Sequence, residues 1–245
     1  MTAVPESLSR SALLLGDEAL HVLMRTRVII FGVGGVGSWC AEALIRSGVR
    51  FLTMVDDDVV APSNINRQLP ATHNTIGLHK VEVLRGRLLT IAPDAHITAL
   101  ACRYTADTQN DFHLDEYDYV IDAIDSIDCK AALILEATAC IHTQLLCSMG
   151  AARRIDPTQV RVAEFQKVQG DALCKALRNR FKKHGTFPKK KFRCVFSLEP
   201  AMQNIPSQSR TNGSLAPVTG TFGLTLASIV INDALTHLPN PLCSE

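Results

Sequence analysis

The chain has eight cysteines but no C-x-x-C pair, so the usual zinc-knuckle spacing is absent and no stable zinc site is expected. It also lacks an excess of one charge: 25 Lys and Arg face 24 Asp and Glu, a formal net charge of +1. That balance excludes a uniformly basic nucleic-acid coat and an acidic tail protein, though not a local patch. Residues 1–20 have no uninterrupted apolar core and carry Glu6, Asp17 and Glu18, so they do not read as a secretory signal. No internal repeat is evident. Hydrophobic residues make up 47% and charged residues 20% of 245, which excludes global disorder and allows one domain, or one large domain with a small extension. The cysteines, several inside apolar runs, read as free buried thiols in a reducing cytoplasm.

Short apolar runs alternate with helical periodicity through the first 150 residues. Helices are expected over 8–24, 36–47, 78–91 and 131–141, with Gly48 a C-cap and Pro93 a stop. Strands are expected over 27–31, 51–55, 96–102, 117–124 and 144–148, and the turn-rich stretch 59–76 reads as a loop. This alternation predicts an α/β fold, a Rossmann-like doubly wound and mainly parallel sheet. Residues 151–245 read as a C-terminal α/β extension of a single domain: a strand near 160–165, a basic helix at 171–183, a basic irregular stretch at 184–193, a mobile loop at 199–213 and an apolar segment at 217–235. The stretch 215–232 is only just long enough to span a bilayer and carries Pro217, Gly220 and Gly223, so it reads as a helix packed on the sheet.

The sharpest local feature is Gly32-Val33-Gly34-Gly35-Val36-Gly37, between a strand and a helix. Glycines there permit a tight turn and let backbone N–H groups approach a phosphate at the helix N-terminus. Asp56 ends the next strand, where a carboxylate can accept ribose hydroxyls. The following segment separates two nucleotide chemistries. A nicotinamide calls for an apolar floor. Asp56, Asp57, Asp58, Asn64, Arg67, Gln68 and Lys80 instead suit a triphosphate, which needs cations for developing charge and carboxylates for Mg²⁺. Asp125, after the fourth strand, supplies a further acid.

The Gly32–Gly37 turn, Asp56, Asp58, Asn64-x-x-Arg67-Gln68, Lys80 and Ala123-Ile124-Asp125-Ser126 resemble the adenylating core of the ubiquitin-activating-like (E1-like) superfamily. Within it, residues 120–126, 156–160 and 194–200 resemble the bacterial tRNA threonylcarbamoyladenosine dehydratase family, and the likeness runs from about residue 7 to 235. The resemblance implies ATP and Mg²⁺ as cofactors. It places Gly35 against the nucleotide, Asp56 on the ribose, and Asn64, Arg67 and Lys80 on the triphosphate. It makes Asp125 the acid supporting Mg²⁺, Arg10 an arginine reaching into a neighbouring subunit's site, and the protein a homodimer. It leaves a sulfur-transfer protein as an open partner. Activators of sulfur-carrier proteins in the same superfamily usually carry paired C-x-x-C zinc ligands, which this chain lacks.

Residues 175–193 hold nine cations and no acid, whereas the rest of the chain holds 16 cations against 24 acids. Arg178, Lys182, Lys183, Lys189, Lys190, Lys191 and Arg193 are the candidate RNA contacts, with Phe181, Phe187 and Phe192 interleaved for stacking on unpaired bases. Cys194, beside this stretch, is the one thiol to test for a catalytic part. The expected activity is ATP-dependent cyclising dehydration of threonylcarbamoyladenosine at tRNA position 37. The alternatives are adenylation of a sulfur carrier's C-terminus, a non-enzymatic nucleotide-binding regulator, and, more remotely, a dehydrogenase.

Overall fold

A computed structural model describes residues 4–203 and 212–236. Seven strands form one sheet in the order β3-β2-β1-β4-β5-β7-β6. They are β1 (Arg27–Phe31), β2 (Phe51–Val55), β3 (His96–Leu100), β4 (Tyr119–Asp122), β5 (Gln144–Ser148), β6 (Val160–Glu164) and β7 (Arg193–Ser197). All pair in parallel except β6, which runs antiparallel to β7 at the edge. The doubly wound, mainly parallel sheet expected from the alternation is therefore present.

The central strands are buried on both faces, which is why they read as continuous apolar runs. In β1, Val28 and Ile30 enter one core while Ile29 and Phe31 enter the other. The first core is covered by α1 (Ser9–Arg25), α2 (Gly37–Arg46), α3 (Lys80–Ile91) and α6 (Ala216–Thr236). The second is covered by α4 (Ile127–Ala137), α5 (Ala172–His184) and the segment bearing Tyr104, Phe112 and Leu114. The stretch 59–76 is a loop braced by single helical turns at Pro62–Asn64 and His73–Thr75.

Several expectations need correction. The helix over 8–24 is broken at Gly16, whose φ of 78° and ψ of 159° are not helical. The helix expected at 131–141 begins and ends four residues earlier, at 127 and 137. Its first turn carries the exposed Asp128 and the buried Lys130, polar residues that interrupt the apolar pattern there. β7 has no counterpart among the expected strands, because the basic run before it masks a five-residue strand that inserts between β5 and β6. Residues 204–211 of the loop expected at 199–213 lie outside the described residues.

α6 is the one described helix long and apolar enough to cross a membrane, yet 56% of that apolar window is buried in the protein. It lies against α2, and a Cβ built on Gly223 would sit 2.4 Å from the Val36 carbonyl oxygen and 2.8 Å from the Cys40 nitrogen. Both are backbone atoms, so the two helices would have to separate. Gly223→Ala is therefore expected to cost about 1–3 kcal/mol. Gly86→Ala, in α3, meets nothing within 4 Å and should instead gain up to about 1 kcal/mol. Thermal unfolding of the two variants checks the contrast; equal melting temperatures would refute close α2–α6 packing.

Candidate active site

Strand order places β4 on one side of β1 and β2 on the other, so consecutive crossovers diverge between β1 and β4. Open α/β sheets bind ligands at the carboxyl ends of strands where the order reverses. A cleft of about 800 Å³ lies there, lined by the Gly32–Val36 turn after β1, Asp56–Asp58 after β2 and Asp125–Ser126 after β4.

Gly32 adopts a φ of 85°, and a Cβ on it would lie 2.8 Å from the Ala123 carbonyl oxygen. Turn and β4 end are thus in backbone contact. A Cβ on Gly37 would meet the Gly32 carbonyl at 1.8 Å. Gly37, expected at the nucleotide, closes the turn onto α2, where a side chain would meet the Gly32 carbonyl. Asp56 accepts hydrogen bonds from the Val33 and Asp58 N–H groups, at 2.8 and 2.9 Å. Burial pushes its carboxyl up, opposed by Lys80 and these backbone donors. One carboxylate therefore shapes the glycine turn and keeps lone pairs facing the cleft.

The cations come from the loop after β2. Arg67 is aimed by its bonds to the Ser63 carbonyl and Asn66, both 2.9 Å. The Trp39 indole N–H donates to the Arg67 carbonyl at 3.1 Å, fixing the loop to α2. Asn64 accepts the Ala61 N–H and caps a helical turn while lining the cleft. Lys80 opens α3, is almost buried, and pairs with Asp58 at 2.6 Å. Gln68 is 7% exposed, and its Oε1 has no partner in the protein. Asp56, Asp57 and Asp58 bring carboxylate oxygens within 4.8 Å of one another, and Asp125 faces the same cleft. This all-oxygen donor set suits a hard divalent cation shared with phosphates, and the turn with its helix N-terminus suits the phosphates themselves.

The structure thus brings together Gly32, Gly34, Gly35, Asp56, Asp58, Asn64, Arg67, Gln68, Lys80 and Asp125. Arg10 lies exposed on α1, outside the cleft lining. Sequence reasoning missed Arg103, Arg153 and the buried Arg154–Asp171 pair, which also line the cleft. Arg153 and Arg154 follow β5, so charge at a strand's carboxyl end was the signal available. Arg153 is held from both sides, its N–H bonding the Gly213 carbonyl and its carbonyl the Met202 N–H.

The basic segment divides in two. Lys175, Lys182, Lys183, Lys189 and Lys191 are exposed. The other four cations are committed. Arg178 donates to the Phe165 carbonyl and lies over that ring, and Arg193 forms a two-pronged pair with Asp233 of α6. Lys190 binds the carbonyls of Cys140 and Thr143, and Arg180 pairs with Asp128. Arg178, Lys190 and Arg193 are therefore removed from the free RNA-facing set. Phe181 and Phe192 are core residues, leaving Phe187 as the exposed ring. Cys194 is fully buried in β7 opposite Cys147, which removes it as an accessible nucleophile.

Fold and cleft together define a nucleotide-binding protein of the doubly wound class, with cations and acids placed for a polyphosphate. A family model described as the ThiF family matches residues 8–243, and the chain belongs to that family. A tRNA threonylcarbamoyladenosine dehydratase of Bacillus subtilis (strain 168) is 41% identical over 193 residues, 78% of this chain and 74% of that protein. One from Haemophilus influenzae is 35% identical over 235 residues, covering 89% of each. The crystal structure of the E. coli tRNA N6-threonylcarbamoyladenosine dehydratase in complex with ATP is similar with a TM-score of 0.87 at 34% identity, over 96% of this chain and 98% of that one.

Beneath the turn, Lys130 and Asp122 form a fully buried pair at 2.8 Å. The same ammonium donates to the Ile124 and Asp122 carbonyls at 3.0 and 3.3 Å. Lys130→Met is expected to destabilise by about 3–5 kcal/mol because it strands a buried carboxylate. Adding Asp122→Asn should recover part of the loss in urea unfolding; no recovery would show that the pair is not the cause.

Proposed function

We propose that this protein is an ATP-dependent tRNA threonylcarbamoyladenosine dehydratase. The observation that carries the reading is one cleft, at the β1/β4 switch point, joining the glycine turn to Arg67, Lys80 and Asp125. Relatives of that name match the chain over most of their length. The absence of C-x-x-C ligands favours this reading over activation of a sulfur carrier.

The substrate adenosine carries a threonylcarbamoyl group ending in a carboxylate. That carboxylate attacks the α-phosphorus of ATP, and the bond to pyrophosphate breaks. Arg67 and Lys80 offset the charge that builds on the phosphate oxygens. Asp125 would hold a Mg²⁺ ion, which would supply positive charge against the triphosphate. The acyl adenylate that forms is electrophilic at carbon. A nucleophile of the same side chain then closes a ring and expels AMP, which carries away a carboxylate oxygen, so the nucleoside loses the elements of water. Closure within one bound molecule has a high effective concentration and needs no enzyme nucleophile. Arg10, exposed on α1, serves the partner's cleft in a homodimer, and the setting is cytoplasmic. The exposed lysines of 175–191 hold the RNA.

Incubation with Mg·ATP and tRNA bearing the modification, followed by nucleoside mass analysis, should show a loss of about 18 mass units by the dehydration arithmetic; ring closure is the step favoured by proximity. Active protein that leaves the mass unchanged would sink the reading. Arg67→Ala and Lys80→Ala should each slow adenylation by about 10²-fold or more; near-normal rates in both would remove their assigned roles. Replacing Lys182, Lys183, Lys189 and Lys191 with Gln should flatten the salt dependence of tRNA binding by about 0.7 in log–log slope for every phosphate no longer neutralised. Arg193→Gln should lower stability and leave that slope alone.

A further inference from the structure

Next to the nucleotide cleft lies a second cavity of about 690 Å³, between the segment 103–109, α4 and the C-terminal half of α5. Arg103, Ser126 and Cys129 line both cavities, so they share a wall immediately after Asp125. The floor is apolar, made by Ala131, Ala132 and Leu135 of α4 with Phe181 of α5. The rim carries Arg103 and His184 beside Arg180, which is committed to Asp128, and Gln109 offers an amide. The lone carboxylate, Asp128, is engaged by Arg180. Lys182 and Lys183, both exposed, adjoin His184 at the end of α5.

An apolar floor beneath cations and an amide matches a nucleotide: a base lies on the floor, the amide meets its edge, and the rim faces its phosphate. The size falls within the range of about 300–1,000 Å³ that holds small ligands. The pocket lacks the glycine turn and the grouped carboxylates, so it does not suit a second metal-bound triphosphate. We propose that it seats the RNA nucleotide adjacent to the modified adenosine, holding the strand while the adenosine's side chain enters the cleft. This inference rests on the tRNA reading above. The strand then runs from the cleft through this pocket to the exposed lysines of α5.

The test uses the full chain and an anticodon stem-loop RNA carrying the modified adenosine, with 4-thiouridine placed on either side of it. Photocrosslinks should map to 103–109, α4 or α5. Ala132→Phe, which fills the floor, and Gln109→Ala, which removes the amide, should raise KM for modified tRNA by about tenfold, the order of one base-stacking interaction. ATP affinity should match wild type in both. Crosslinks confined to other surfaces, or an unchanged tRNA KM in both variants, would overturn the proposal while dehydration by wild type left the function standing. Binding of free uridine monophosphate that both variants abolish, with tRNA KM unmoved, assigns the pocket to a free nucleotide and also overturns it. Failure of wild type to dehydrate the RNA would remove the functional reading itself.

Discussion

The buried pair of Lys130 and Asp122 is the contact on which the site depends. Both side chains are removed from water, a costly arrangement unless every donor finds an acceptor. Lys130 meets that condition by holding three oxygens at the end of β4. Asp122 in turn accepts the Ile124 N–H at 3.1 Å. The backbone of residues 122–124 is therefore fixed, and the Ala123 carbonyl sits where only a glycine can pass at position 32. The glycine turn and Asp125 are positioned by the same short piece of chain.

From that point the cleft is assembled by elements far apart in sequence. Asp56 ties β2's end to the turn through the Val33 N–H. Trp39 ties α2 to the arginine loop. Asn66 donates to the Ser214 carbonyl, joining that loop to the chain that leads into α6. Thr219 of α6 lies against Gly35 and lines the cleft. Each link is a single hydrogen bond or close approach, yet together they leave Arg67 and Lys80 little freedom to move away from the phosphate region.

Much of this is legible in the sequence. Fully buried parallel strands announce themselves as apolar runs such as Val28–Phe31, and the glycine turn announces both strand end and helix start. Polar residues that become buried are the ones that mislead. Lys130 looks like a surface residue and displaces the expected start of α4. Arg193 looks like part of an RNA-binding run, and its pairing with Asp233 depends on a fold-level approach forty residues away. Phe181 and Phe192 sit among cations in sequence but face the core. Periodicity cannot reveal such partners, because local spacing carries no record of which distant strand or helix will arrive opposite. Composition alone marks the basic segment; the division between its exposed and its committed cations requires the packed structure.

α6 has a further consequence. Its first turns complete the cleft at Thr219, and near its other end Asp233 grips Arg193 of β7 and Tyr119 of β4. It is also the last described element. During synthesis, residues 4–203 can emerge with the glycine turn, the acids and the cations already translated, while the wall that closes them is still inside the ribosome. The cleft is therefore finished late, and a nascent chain has no complete cleft until α6 docks.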